Sequence, residues 1–263
     1  MFNLKPKTEK ISANYGTCIH AGVGAYYGNQ GLSLEERICL AIKAFTEEWE
    51  QYGHQGTEKY SLLGGVETLK AYCTAYQRDS FDFIPELIEC SQSLEMPNGT
   101  VLIGRIDRVA RTGDSVTVVD TKTTSMSFTD YYFRQYENCF QISAYYYIVN
   151  TILSGAVDCA VIDCIKVPYS TGKSRKTGEP VENFVRRSFM RTPLQLAEFV
   201  NTYNTITGEI LEALASGKDA AKFPQCPTAC SNYGGCEYLP VCKYGFSHPT
   251  VKLDFEEVED EGK

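Results

Sequence analysis

Gly104–Lys122 reads GRIDRVARTGDSVTVVDTK, and the fold follows from how this stretch is paired. Two apolar-rich runs, Val101–Ala110 and Ser115–Lys122, flank Arg111-Thr112-Gly113-Asp114. Glycine at such a joint accepts the positive φ that two-residue hairpin turns require. With Gly113 and Asp114 as the turn, residue 112 faces 115, 107 faces 120 and 105 faces 122. Opposed residues share one face of a sheet, so Asp107 and Asp120 are expected side by side, joined by Lys122 through the two-residue strand period.

A hairpin that exposes polar residues to water would also carry two acids and a lysine. Here Leu102, Ile103 and Ile106 flank Asp107, and Val116, Val118 and Val119 flank Asp120. Carboxylates among such neighbours need a compensating cation. Hard oxygen ligands on strands suit Mg²⁺ or Mn²⁺, which can activate water against a phosphodiester. Lys122 then has a place beside the attacking water or the charge that grows on phosphorus.

Ile-Asp, a thirteen-residue step and Asp-x-Lys resemble the signature of the PD-(D/E)XK nuclease superfamily, and the flanking GRIDR and VVDTKTT are similar to its RecB-like branch. The resemblance implies an α/β fold, a central mixed sheet flanked by helices as in restriction endonucleases. It also gives meaning to residues that say little alone. His20, in GTCIH and in the first turns of a glycine-bearing helix over Thr17–Tyr27, would be a metal ligand with Asp107 and Asp120. Glu89, on a strand over Phe83–Glu95, is either a further or supporting ligand or a solvated strand residue. Gln141 and Tyr145, one turn apart on a helical run over Asp130–Leu153, match the Gln-x-x-x-Tyr that follows the lysine in RecB-like nucleases. They would orient substrate or water.

Around this centre the chain reads simply. Ser33 and Glu36 cap an amphipathic helix over Leu34–Gln51, and Val66–Gln77 is helical. Val157–Pro168 is apolar at nearly every position and reads as an internal strand; Glu182–Met190 returns, and Pro193–Ser216 is a helix. Gly22, Gly24 and Gly28 lack the spacing of a dinucleotide fingerprint, and no phosphate-binding Gly-x4-Gly-Lys-[Ser/Thr] occurs, so unwinding would need a helicase or recombination partner.

The 263 residues suit one sizeable domain with a small appendage, taken as a nuclease core over 1–222, a cysteine segment over 223–246 and a flexible acidic tail over 247–263. Net charge is −8, yet residues 166–191 carry seven bases against two acids, and the loop with Lys173, Arg175 and Lys176 reads either as a solvated hairpin tip or as a DNA-tracking arm. No apolar run is long enough to span a membrane, the first residues lack the core of a secretory signal, and Asn98-Gly99-Thr100 reads as a turn. Eleven cysteines, an odd number, point to a reducing, cytoplasmic compartment.

Four of them, Cys226, Cys230, Cys236 and Cys242, fall within FPQCPTACSNYGGCEYLPVCKY. Four thiolates suit Zn²⁺ or an iron–sulfur cluster. CSNYGGCEYLPVC resembles the C-terminal tail of the AddB nuclease, the CRISPR-associated RecB-like nucleases and phage relatives, which implies a [4Fe-4S] cluster that staples the tail. Those enzymes draw one ligand from upstream; here only Cys18 precedes His20, so all four are assigned to the tail. The expected activity is Mg²⁺- or Mn²⁺-dependent DNA cleavage, as an exonuclease or end-processing enzyme on single-stranded or frayed DNA. The alternative is a DNA-binding or recombination accessory protein that keeps the fold without turnover.

Overall fold

The computed structural model describes residues 4–7, 10–53, 56–154, 157–174, 177–217, 230, 235–245 and 247–257. In chain order the elements are β1 (Leu4–Pro6), α1 (Ile11–Tyr27), α2 (Leu34–Tyr52), α3 (Leu62–Ala75), β2 (Asp82–Glu95), β3 (Val101–Thr112), β4 (Ser115–Thr124), α4 (Asp130–Phe133), α5 (Phe140–Ile152), β5 (Val157–Lys166), β6 (Phe184–Phe189), α6 (Pro193–Ala215), α7 (Leu239–Tyr244), α8 (Pro249–Asp254) and β7 (Phe255–Glu257). They divide into two compact units, Ile11–Thr205 and Met1–Lys10 with Ile206–Lys263.

The larger unit is a five-stranded mixed sheet in the order β2-β3-β4-β5-β6. All pairs are antiparallel except β4–β5. A parallel pair needs a crossover, and α4 and α5 supply it. One face of the sheet packs Val116, Val118 and Ile162 against Ile142, Tyr146 and Val149 of α5. The other packs Val119, Val161 and Ile165 against Ile19 and Val23 of α1, Phe45 of α2 and Leu69 of α3. Helices on both faces bury the middle of β5, which is why most of its residues are apolar. Ser33 and Glu36 form the expected reciprocal cap of α2.

Three expectations need correction. First, Asp130–Leu153 is not one helix: after α4 a 3₁₀ turn covers Arg134–Tyr136 and α5 begins only at Phe140. Buried Arg191 donates to the carbonyls of Tyr136 (3.0 Å) and Cys139 (3.3 Å) and to the Ser143 hydroxyl (2.9 Å), and this competition for the carbonyls holds the break open. Second, the basic stretch is not a free positive surface. Arg186 is half-buried between Asp79 (2.7 Å) and Asp163 (3.3 Å), Arg187 pairs with Asp130 (2.8 Å), and Lys166 donates to the Ser125 and Met126 carbonyls.

Third, the supposed flexible tail is ordered over Pro249–Glu257. In the smaller unit β7 pairs antiparallel with β1, and Val251 and Phe255 bury themselves with Val241 and Leu4. The tail's acids alternate with apolar residues that have a surface to cover, and that alternation outweighs its charge. Residues 258–263 lie outside the described set. No helix among the described residues is long and apolar enough to cross a membrane.

Candidate active site

The turn at Gly113 (φ +62°) sets the predicted hairpin register, with Thr112 opposite Ser115 through to Arg108 opposite Val119. The ladder stops there, one rung short of Asp107 and Asp120. They are therefore not a backbone-paired rung, although their carboxylates still lie close enough to act on each other and on His20. Instead the Asp107 carboxylate accepts the N–H of Thr121 at 2.7 Å, so a side chain bridges the two strands where the ladder has ended.

The same opening recurs on the other side of β3. Ile88 pairs with Arg108 and Cys90 with Ile106, leaving Glu89 and Asp107 facing each other between two pairs. Glu89 has φ +49°, a left-handed conformation that costs a side-chain-bearing residue about 1–2 kcal/mol. Such strain is kept where the surroundings hold it. Here α1 does: a Cβ on Gly24 would come within 2.7 Å of Glu89 Cγ, so a bare glycine lets the glutamate lie against the helix. The register was available from the Pro97-Asn98-Gly99 turn, because counting back from Glu95 opposite Val101 places residue 89 opposite 107.

His20 of α1 completes the group. Its Nδ1 lies 3.3 Å from Asp107 Oδ2 and 3.8 Å from Glu89 Oε1. One ligand atom each from His20, Glu89 and Asp107 falls within 4.8 Å of the others, the one such trio among the described residues. They line a cleft of about 320 Å³ with Ala13, Gly16, Thr17, Arg105 and Tyr145.

Beside it runs a second chain of contacts. Lys122 Nζ donates to Asp120 Oδ1 (3.2 Å) and lies 2.9 Å from Oδ2, an oxygen on which no donor is aligned. Nζ also donates to Gln141 Oε1 (2.9 Å), and Gln141 Nε2 donates to the Tyr145 hydroxyl (2.9 Å). α5 sits close enough for this because Gly104 leaves room: a Cβ there would meet Ile148 at 2.8 Å and Tyr145 at 3.4 Å. The break at Arg191 sets where α5 begins, and hence where Gln141 points.

Burial and crowding set the charges. Burial and the neighbouring Asp107 raise Glu89 by more than His20, Arg105 and Arg108 lower it. Burial also raises Asp107, but His20, the Thr121 N–H and Arg108 outweigh it and hold this carboxyl below its ordinary value. Burial works against charge on His20, yet Asp107, Glu89 and Asp120 push it up. Asp120 is raised to about 6, by burial and by Asp107 against the pull of Lys122.

Asp120 has an ordinary value of about 3.9 in the unfolded chain. Its folded value is higher, so the folded state binds more protons between about pH 4 and 6. Its contribution is complete below about pH 4 and lost as pH rises through about 6. In metal-free buffer, Asp120→Asn should gain thermal stability relative to wild type over that rise. A melting-temperature difference that stays flat with pH would contradict it.

Three closely set acids with one imidazole, and an oxygen of buried Asp120 lacking an aligned donor, are a donor set that a hard divalent cation would satisfy. A model of the PD-(D/E)XK nuclease superfamily matches residues 2–243.

The chain belongs to the PD-(D/E)XK nuclease superfamily. Its five-stranded mixed sheet flanked by helices is the fold expected of this superfamily, and membership makes it a metal-dependent nuclease. No match was found among curated proteins. Among solved structures, a Eubacterium rectale protein provisionally assigned as an exonuclease is 14% identical, with TM-score 0.49, covering 81% of this chain and 71% of its own. The protein SSO0001 is 12% identical, with TM-score 0.35, covering 86% of this chain and 84% of its own. Both are distant likenesses.

Lys173 is exposed, in a single bridge with Pro180, and Arg175 and Lys176 lie outside the described residues. The Cys236 N–H donates to the Cys230 carbonyl (2.9 Å), Cys242 is exposed, and Cys226 lies outside the described residues.

Proposed function

We propose that the chain is a Mg²⁺- or Mn²⁺-dependent deoxyribonuclease that processes ends of single-stranded or frayed DNA. The observation that carries this is the meeting of His20, Glu89 and Asp107 in one cleft beside the Asp120–Lys122–Gln141–Tyr145 chain. His20, Glu89 and Asp107, with Asp120 beside them, would hold the ion. When bound, it supplies positive charge at the scissile phosphate and makes water a better nucleophile.

The side chains do the rest. Lys122 presents N–H donors toward the attacking water and toward charge that builds on the phosphoryl oxygens. Gln141 fixes Lys122, since its Oε1 accepts from Nζ while its Nε2 is held by Tyr145. Tyr145 lines the cleft and offers a ring edge to the nucleotide. The arm at 170–183 carries Lys173 outward, suited to tracking a backbone. Cys226, Cys230, Cys236 and Cys242 are proposed as ligands of a [4Fe-4S] staple, with Zn²⁺ as the alternative; visible absorption of anaerobically purified protein separates the two. Unwinding would come from a partner.

The test is cleavage of end-labelled single-stranded and duplex DNA. Mg²⁺ or Mn²⁺ should support it, EDTA should stop it, and the single strand should be cut faster from an end. Equal activity in EDTA, or none on any DNA with either metal, would overturn the reading.

A further inference from the structure

Arg105 stands at the mouth of the cleft, and nothing in the hydrolysis as described uses it. It is the one arginine or lysine among the residues lining that cleft. Its Nη2 lies 3.2 Å from Glu89 Oε2, while Glu89 Oε1 faces His20. The arginine side chain is 63% exposed and the glutamate's 19%. The other cation of the site, Lys122, is engaged by both Asp120 and Gln141. Ala13, Gly16 and Thr17 on the facing helix are small, so a sugar–phosphate backbone can approach Arg105.

We infer that Arg105 is a substrate-phosphate contact that Glu89 holds back until a divalent ion takes the glutamate. The arginine end of the pair stands largely in water, so the pairing holds Glu89 far more weakly than a bound divalent cation would. The ion therefore wins Glu89, and the freed guanidinium, with its planar fork of donors, matches a phosphate's oxygens. Ion and nucleic acid then favour each other's binding through one side chain, and the coupling is reciprocal. The inference rests on the nuclease reading of the site.

The test uses the full chain, wild type and Arg105→Gln, binding a short fluorescent single-stranded DNA in EDTA or in Ca²⁺, over a salt series. Ca²⁺ affinity without DNA is measured in parallel by calorimetry. In EDTA the two proteins should bind DNA alike. In Ca²⁺ the wild type should bind about 5-fold or more tighter than the variant. Its slope of log affinity against log salt should be steeper by about 0.7, one phosphate contact on a single strand. Arg105→Gln should bind Ca²⁺ at least as tightly, having lost a competitor for Glu89.

Three results overturn the inference while leaving the nuclease reading intact: equal affinity and slope in Ca²⁺, an equal deficit in both buffers, or loss of Ca²⁺ binding in the variant. Wild-type protein that binds neither Ca²⁺ nor DNA overturns both.

Discussion

Lys122→Ala should lower the single-turnover rate of DNA cleavage by about 10²–10³-fold at saturating metal, the range seen when one donor to a developing oxyanion is removed. Metal affinity should survive, because the residues that face the ion cleft are others, and the variant should still bind DNA. The geometry makes the effect specific. Lys122 Nζ is shared between Asp120 and Gln141, so its position is fixed by two acceptors from two elements. Gln141→Leu should therefore produce a smaller loss in the same rate, since Lys122 keeps Asp120. Retention of the wild-type rate within a few-fold in Lys122→Ala would remove the lysine from the chemistry.

The second large effect is on stability. Asp163→Ala should destabilise the protein by about 3–5 kcal/mol, because a buried ion pair broken from one side leaves its partner charge without compensation. Asp163 is fully buried; its Oδ2 accepts from Arg108 (2.8 Å) and from the Tyr72 hydroxyl, with Arg186 at 3.3 Å. Arg108 reaches this β5 residue from β3, over β4, and Arg186 reaches it from the adjacent β6, so the network ties three strands on the α1–α3 side of the sheet. For a unit of this size the loss corresponds to a fall in melting temperature of about 6–20 °C. Arg108 neighbours Asp107 in sequence, so the network also anchors the strand that carries the ion site. Asp163→Asn keeps an acceptor and should fall between wild type and alanine. Unchanged thermal melting of Asp163→Ala would refute the account of the network.

Legibility in the sequence followed physical locality. The β3–β4 register came from one turn, because Gly113 at positive φ fixes the pairing of everything near it. Asp107, Asp120 and Lys122 were visible for the same reason, since they lie on one hairpin, whereas Gln141 and Tyr145 took their meaning from the family resemblance. Counting failed where the ladder ended early, since nothing in a residue count shows that Asp107 turns its carboxylate to a backbone N–H. Glu89 needed a second register from a second turn, plus a glycine on a helix more than sixty residues away.

Charge misled in both directions. The excess of bases at 166–191 overstates the free positive charge, because Asp79 and Asp163 pair with Arg186 and Asp130 with Arg187. The acidic C-terminus looked solvated, although Val251 and Phe255 fold into a small core. Both are long-range partnerships, and composition does not encode them.

The most direct measurement of the central claim is a crystal soaked in Mn²⁺ and measured at the manganese absorption edge. The account predicts anomalous density between His20, Glu89 and Asp107, beside Asp120, with Glu89 turned from Arg105 to the ion. Manganese bound elsewhere, or none at saturating concentration with His20 still against Asp107, would contradict it.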